Sequence, residues 1–405
     1  MAATAELVLP PSIDALFSPP LRERLVALRR ELHANPELSS QEEQTARRLT
    51  AALEELSPKR LERVARTGVV ALIRGRDRAT PVVAVRGDID ALPIQEATGL
   101  AFASRRPGVM HACGHDVHAS WAVGAAHLLA LEPAAGDVLI VLQPAEETGR
   151  GALAILESGA LDGVAAIFGG HVDRRFAVGQ VVADAGPLAA SADTFEIVMR
   201  GRGAHAARPH EAADPIVAAS ALVVALQTIV ARRLNPARAG VVTVGTIHAG
   251  TAPNVIPDEA RLAGTVRAVE PDVRRLLLDE VKRVAQGIGA AHGVEARVAI
   301  DLGTPPLINS PEAAAWARAA VAAVLGDDAL VPLGFLNLAG EDFAHYLERL
   351  PGCFVRVGAR EPGGDVVPAH APRFYAAEES LFVGAAVLAE TARVASRALQ
   401  LGAAR

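Results

Sequence analysis

GDVLIVLQPAEETGRGALAILESGALDGVAAIFGGHV, residues 136–172, contains two unbroken apolar runs, DVLIVLQP and VAAIFGGHV, with a helical stretch at 150–158 between them. Apolar residues that run on without alternating with polar ones mark strands covered on both faces. The rhythm extends towards the N-terminus through GVVALIRG, PVVAVRGDID and a helix over 117–131. Further upstream, RERLVALRRELHANPELSSQEEQTARRLTAALEEL carries apolar residues at helical spacing on both sides of Asn35-Pro36, which predicts two helices. The expectation is an α/β domain with a mostly parallel sheet and helices on both faces.

From about residue 190 the rhythm changes. DTFEIVMRGRG, the helix DPIVAASALVVALQTIVARRL, GVVTVGTIHAG, EARLAGTVRAV, a second helix and VEARVAI read as strand, helix, strand, strand, helix, strand. That order fits an α+β two-layer unit, an antiparallel sheet backed by two helices. Alternation returns after 305 and ends in PGCFVRVGA and the helix EESLFVGAAVLAETARVASRAL. The reading is therefore one domain formed by 1–189 and 303–405, with a smaller domain, 190–302, inserted into it.

Composition narrows the function. The 405 residues are too many for one typical core. No continuous apolar run approaches the roughly 20 residues that span a bilayer, so a soluble protein is expected, without a membrane partner. The opening MAATAELVLPPSIDALFSPP has no basic segment followed by an apolar one, so no export signal is read. Two cysteines, Cys113 and Cys353, suit a reducing compartment, and the cytoplasm is expected. A net charge of −6 with dispersed arginines and only Lys59 and Lys282 as lysines offers no stripe for nucleic acid.

Candidate chemistry gathers at predicted strand and helix ends, where open α/β sheets place their sites. Cys113 and His115, two apart in MHACGHDVHAS, are good zinc-type ligands, and the helix start behind them is expected to lower the thiol pKa. Such a pair also occurs as ordinary surface or core residues. Glu146 and Glu147 follow an apolar strand, His171 ends another, and His370 lies in the loop VVPAHAPRF. Neighbouring glutamates are often a solvated surface; at a metal they divide the work, one ligating and one taking a proton. Asp90 of VRGDIDALP reads as a residue that holds a ligand or the base in place. Asp88 is equally readable as a turn or cap residue. His111 and His118 are open as supporting donors. His33, His127, His248, His292 and His345 read as surface or core residues, and Cys353 as a buried, inert thiol.

RGDIDALP, MHACGHDVH, QPAEETGRGA, GHV, GRGAHAARPH, TAPNVIPDEARLAGTVRA, GEDFAHYL and HAPRF occur in the order, and at about the spacing, of the metal-dependent amidohydrolases that include aminoacylase, hippurate hydrolase and auxin-conjugate hydrolases, relatives of carboxypeptidase G. The chain resembles that family from HANPELSSQEEQTA to HAPRF. The resemblance implies two divalent metals; thiolate softness points to zinc, while oxygen and imidazole ligands admit manganese, cobalt or nickel as well. Cys113 would bridge the two metals, and His115, Glu147, His171 and His370 would complete their shells. It implies Glu146 as general base; Asp90, read above as holding a ligand or the base in place, is grouped with Glu146 and His205 as catalytic. It also implies that the inserted domain is a lid and dimerisation module whose His205 serves the neighbouring subunit of a homodimer, while Asn254 and Arg267 hold the substrate carboxylate. The implied reaction is hydrolysis of an N-acyl amino acid, with a di- or tripeptidase or carboxypeptidase as the alternative. Two departures stand out at the rim: GRGA after the glutamate pair, and Asp173-Arg174-Arg175 where a hydrophobic-proline step is more usual.

Overall fold

A computed structural model describes residues 9–403 of the chain; residues 1–8, part of the stretch read for an export signal, lie outside the described residues. In chain order the principal elements are α1 (Pro19–Ala34), α2 (Glu43–Glu54), β1 (Arg60–Val64), β2 (Gly68–Ile73), β3 (Val82–Asp88), α3 (His115–Leu131), β4 (Val138–Gln143), β5 (Val164–Ala177), β6 (Val181–Val182), β7 (Ala192–Arg200), α4 (Pro215–Thr228), β8 (Gly240–Ala249), β9 (Glu259–Ala268), α5 (Pro271–His292), β10 (Glu295–Thr304), α6 (Pro311–Leu325), β11 (Gly352–Arg360) and α7 (Glu379–Ala403). Among the described residues they fall into two compact units, one of residues 9–186, 308–335 and 345–403, the other of residues 187–307 and 336–344. The second segment of the smaller unit has no counterpart in the reading from sequence, which assigns everything after 302 to the larger domain. Residues 330–343 form no helix or strand, so no periodicity marks them.

The larger unit is built on a seven-stranded sheet in the order β1-β2-β4-β3-β5-β11-β6. Its four middle strands, β4, β3, β5 and β11, are parallel, and the flanks β1, β2 and β6 pair antiparallel. All six residues of β4 are buried, as an unbroken apolar run requires when both faces are covered. Helices α3 and α7 pack against each other beside the sheet. Their approach depends on Gly384: a Cβ there would lie 2.1 Å from Cε3 of the fully buried Trp121, so even alanine would force the helices apart. A buried ion pair, Arg29 Nε donating to Asp116 Oδ2 at 2.7 Å, ties α1 to the first turn of α3. Removing one partner of such a pair costs about 3–5 kcal/mol, because the other charge is left uncompensated.

The smaller unit is a four-stranded antiparallel sheet, β8-β9-β7-β10, with its own core shared with α4 and α5. Pro215, Ala218, Ala219, Leu222 and Leu226, spaced three to four apart, form the buried stripe of α4. The opposite face exposes Val217 (51%) and Val224 (71%), and the π turn Ile229–Arg233 that continues the helix exposes Val230. By length and composition 215–233 is apolar enough to cross a membrane, a feature that a search for unbroken apolar runs does not register. Its inner stripe instead packs in the core of this unit.

Candidate metal centre

The carboxyl ends of the parallel strands converge in the larger unit, and the candidate side chains come with them. Asp88 ends β3, with Asp90 two residues on; Glu146 and Glu147 follow β4 in a short 3₁₀ turn; His171 lies on β5, beyond its last pairing with β3 at Phe168; and His370 comes from the loop after β11. Cys113 and His115 come from the N-terminal end of α3. Between them Gly114 adopts φ 92°, and a Cβ there would meet Val172 Cγ2 at 2.4 Å, so only glycine makes this turn.

Five donor triads form among the described residues, and two of them share a thiol. Cys113, His115 and His171 offer one, and Cys113, Glu147 and His370 the other; within each, the ligand atoms lie within 4.8 Å of one another. The thiol is common to both. Cys113 Sγ is 3.2 Å from His171 Nε2, and His370 Nε2 is 3.4 Å from Glu147 Oε1. Two of the imidazoles are turned by their other nitrogen. His171 Nδ1–H donates to the Val172 carbonyl at 2.7 Å, and His115 Nδ1–H donates to Asp90 Oδ1 at 3.1 Å, so both rings aim Nε2 inward. Asp90 also accepts the Ser39 hydroxyl at 2.7 Å and the Glu147 N–H at 3.0 Å. It thus stands behind two candidate ligands, His115 and Glu147, and orients them. These contacts are those of a positioning residue.

The chemistry of this set fits divalent cations. His115 Nε2 and Glu147 Oε1 are buried with no hydrogen-bond partner, an arrangement that costs free energy unless an ion meets them. Thiolate, imidazole and carboxylate together are ligands for zinc and its first-row neighbours. Burial, then the Glu147 carboxylate, pushes the Cys113 thiol well above its ordinary range. The expected lowering by the helix start is therefore overruled by desolvation and a neighbouring anion, and a bound cation is what would draw out the thiolate. Burial opposes charge on His115, yet Asp88, Asp90 and Cys113 hold its imidazole well above the usual value. The site as a whole is rich in negative charge.

Sequence reasoning leaves other supports undecided or unseen. His118 uses both nitrogens, donating from Nδ1 to Asp88 Oδ1 at 2.6 Å and accepting the Val172 N–H at Nε2 at 3.0 Å, so it braces β5 and has no lone pair for a metal. Asp88 is neither cap nor turn residue. Burial opposes its charge, but Arg86, which donates to it at 2.5 Å, and the two histidines hold its carboxyl well below the usual range. Glu42, 103 residues away in sequence, accepts the Ala145 N–H at 2.9 Å and so holds a non-glycine residue at φ 54° just before Glu146. Only a surrounding acceptor of this kind keeps such a turn populated, and no local pattern announces it. His111 is buried and keeps both nitrogens without a hydrogen-bond partner; burial lowers its pKa to about 4. His33 sits in the buried Arg29–Asp116 cluster, and Cys353 is fully buried.

The remaining three candidates belong to the smaller unit. A two-residue ladder pairs His205 with Val255, and the Ala206 N–H donates to the Asn254 carbonyl at 3.0 Å, which sets His205 and Asn254 side by side, both exposed. The Ala207 N–H donates to His205 Nδ1 at 3.0 Å, leaving Nε2 to carry the proton and act as donor. Arg267 is half-buried on β9, opposite Val241 of β8.

Comparison with known proteins gives a consistent result. The family model of peptidase family M20/M25/M40 matches residues 84–394. An N-acetylcysteine deacetylase of Bacillus subtilis (strain 168) is 41% identical over 378 residues, covering 91% of this chain and 96% of that protein. An IAA-amino acid hydrolase of Arabidopsis thaliana is 37% identical over 381 residues, covering 93% and 86% respectively. Among solved structures, a dinuclear metal-binding peptidase of the M20 family from Bacillus subtilis superposes with a TM-score of 0.83 at 38% identity, covering 95% of this chain and 99% of that one.

Proposed function

This chain belongs to peptidase family M20/M25/M40, and we propose that within it the protein is a metal-dependent amidohydrolase that cleaves N-acyl amino acids to a carboxylic acid and a free amino acid. The observation that carries the reading is the pair of donor triads sharing Cys113, with Glu146 beside them. Cys113, His115 and His171 would hold one divalent ion and Cys113, Glu147 and His370 the other. Such ions, when bound, polarise the scissile carbonyl and acidify water at neutral pH.

The chain's own residues do the rest. Glu146, presented by the turn that Glu42 holds, takes the proton of the attacking water and returns it to the leaving amine. Asp90 keeps His115 and the Glu147 backbone in place. Asn254 and the planar fork of Arg267 hold the substrate carboxylate, and the Nε2–H of His205 meets the developing oxyanion. Softness of the thiolate favours zinc, while imidazole and carboxylate also admit manganese, cobalt or nickel. Two free thiols, Cys113 and Cys353, suit the cytoplasm. Turnover of acetyl-, benzoyl- and indoleacetyl-amino acids beside free dipeptides tests the substrate class. N-acyl amino acids are expected to be hydrolysed with the higher kcat/KM; a preference for free dipeptides overturns this in favour of the peptidase reading, which the kinship with a dinuclear peptidase supports.

The smaller unit is proposed to be the lid and dimerisation module. Its support is the exposed apolar face of Val217, Val224 and Val230, together with the edge strand β8, where Ile247 is also exposed. In that dimer His205 would serve the partner's metal centre. His205→Ala and Glu146→Gln, each nearly inactive alone, should then regain activity when mixed under exchanging conditions. Random exchange makes half the dimers mixed, each with one complete site, so recovery should reach about a quarter of wild type. No recovery despite demonstrated exchange rejects the shared site.

A further inference from the structure

The Asp173-Arg174-Arg175 step is the departure from the family pattern that the metal centre leaves unexplained. Arg174 is only 2% exposed, a costly place for a guanidinium unless its donors are used. Among the described residues, its guanidinium bonds and stacks only within 359–375. Nε and Nη2 donate to the Asp365 carbonyl at 3.1 and 2.7 Å, and Nη1 donates to the carbonyls of Ala359 at 3.2 Å and Tyr375 at 3.3 Å. Nη1 and Nη2 also donate to the two carboxylate oxygens of Glu361 at 2.8 and 3.2 Å. The guanidinium stacks on the Tyr375 ring at 4.2 Å, and the Tyr375 hydroxyl donates to Glu361.

These acceptors bracket the loop that delivers His370. Ala359 and Glu361 stand at its start, Asp365 lies within it, and Tyr375 closes it. The segment 361–378 contains no helix or strand, and His370 itself sits at φ 66°, a left-handed conformation that a non-glycine residue holds only when its surroundings impose it. The His370 N–H, donating to the Ala112 carbonyl at 2.8 Å, supplies one anchor at the centre. Arg174 supplies the anchors at both ends, from β5, the strand that also carries His171.

We propose that Arg174 is a positioning residue: by fastening both ends of the 361–375 loop it fixes His370 beside Glu147 and sets the affinity of the ion held by Cys113, Glu147 and His370, leaving the other ion unaffected. The inference rests on His370 being a ligand, and the test separates the two. Zinc-loaded full-length protein is challenged with a competing zinc chelator, and zinc retained per chain is measured for wild type, Arg174→Lys, Arg174→Met, His370→Ala and the Arg174→Lys/His370→Ala double variant. Lysine keeps a cation facing Glu361 but cannot reach carbonyls at both ends of the loop, so it guards against a methionine variant that fails to fold. Arg174→Lys should give up one zinc at a chelator concentration about 10- to 100-fold lower than wild type and keep the other. The double variant should lose no more than His370→Ala alone. A wild-type profile for Arg174→Lys, with His370→Ala weakened, overturns the role of Arg174, as do additive losses in the double variant. A wild-type profile for His370→Ala instead overturns His370 as a ligand.

Discussion

Glu146→Gln is expected to leave both ions bound and to lower kcat by about 10²- to 10⁴-fold, the usual contribution of a positioned general base. The substitution changes one oxygen to an amide nitrogen and keeps size and turn geometry, so the Ala145 conformation and the neighbouring Glu147, the proposed ligand, are undisturbed. Neither donor triad assigned to an ion requires Glu146. What is lost is the capacity to accept a proton from water and hand it to the amine. Metal content and steady-state kinetics on one N-acyl amino acid decide the matter. Turnover near wild type removes Glu146 from the mechanism. Loss of metal from Glu146→Gln, with Glu147→Gln still loaded, exchanges the roles of the two glutamates.

Cys113→Ser is expected to reduce bound metal from two ions per chain to less than one, because the replaced sulfur belongs to both triads. A serine hydroxyl stays protonated at neutral pH and is a poor ligand, whereas the thiol ionises on binding a cation. The stability that ions confer on the folded state should vanish with them. At a free-ion concentration about 1,000 times Kd that contribution is roughly 4 kcal/mol, so the Tm of wild type should fall with chelator and that of the variant should not. A pH effect accompanies it. The buried Cys113 thiol and the His115 imidazole both titrate well above their ordinary values, so protons compete with the metal, and affinity should weaken as pH falls. Metal analysis and calorimetry check both points. Unchanged metal content in Cys113→Ser would reduce Cys113 to a small buried residue.

Much of this centre is legible in the amino-acid sequence. Cys113, His115, Glu147, His171 and His370 are residue types with lone pairs, set at the ends of apolar runs, and the rule that parallel strands gather their carboxyl ends predicts that such residues meet. The supports are less legible for a uniform reason. Whether His118 is a ligand depends on where the Val172 N–H points, and the role of Glu42 depends on contact with Ala145 across 103 residues. Neither relation leaves a local trace. The acidity of Cys113 is misread from sequence because the helix start behind it is visible there, whereas full burial beside Glu147 is visible only in three dimensions.

Side-chain type and short-range spacing alone specify the elements and the chemistry: continuous apolar runs make buried strands, Ala- and Leu-rich periodic stretches make helices, and the order of strong ligands at strand ends announces a metal centre. These depend on spacings of a few residues, which a linear string records completely. Folding in three dimensions settles the rest: which nitrogen of His115 and of His171 faces inward, that one sulfur is common to two donor triads, that 336–344 joins the smaller unit, and that Arg174 fastens the loop of His370. Those outcomes depend on hydrogen-bond directions and packing between segments tens to hundreds of residues apart, where a single added carbon, as at Gly114 with Val172 Cγ2 2.4 Å away, separates a possible arrangement from an impossible one.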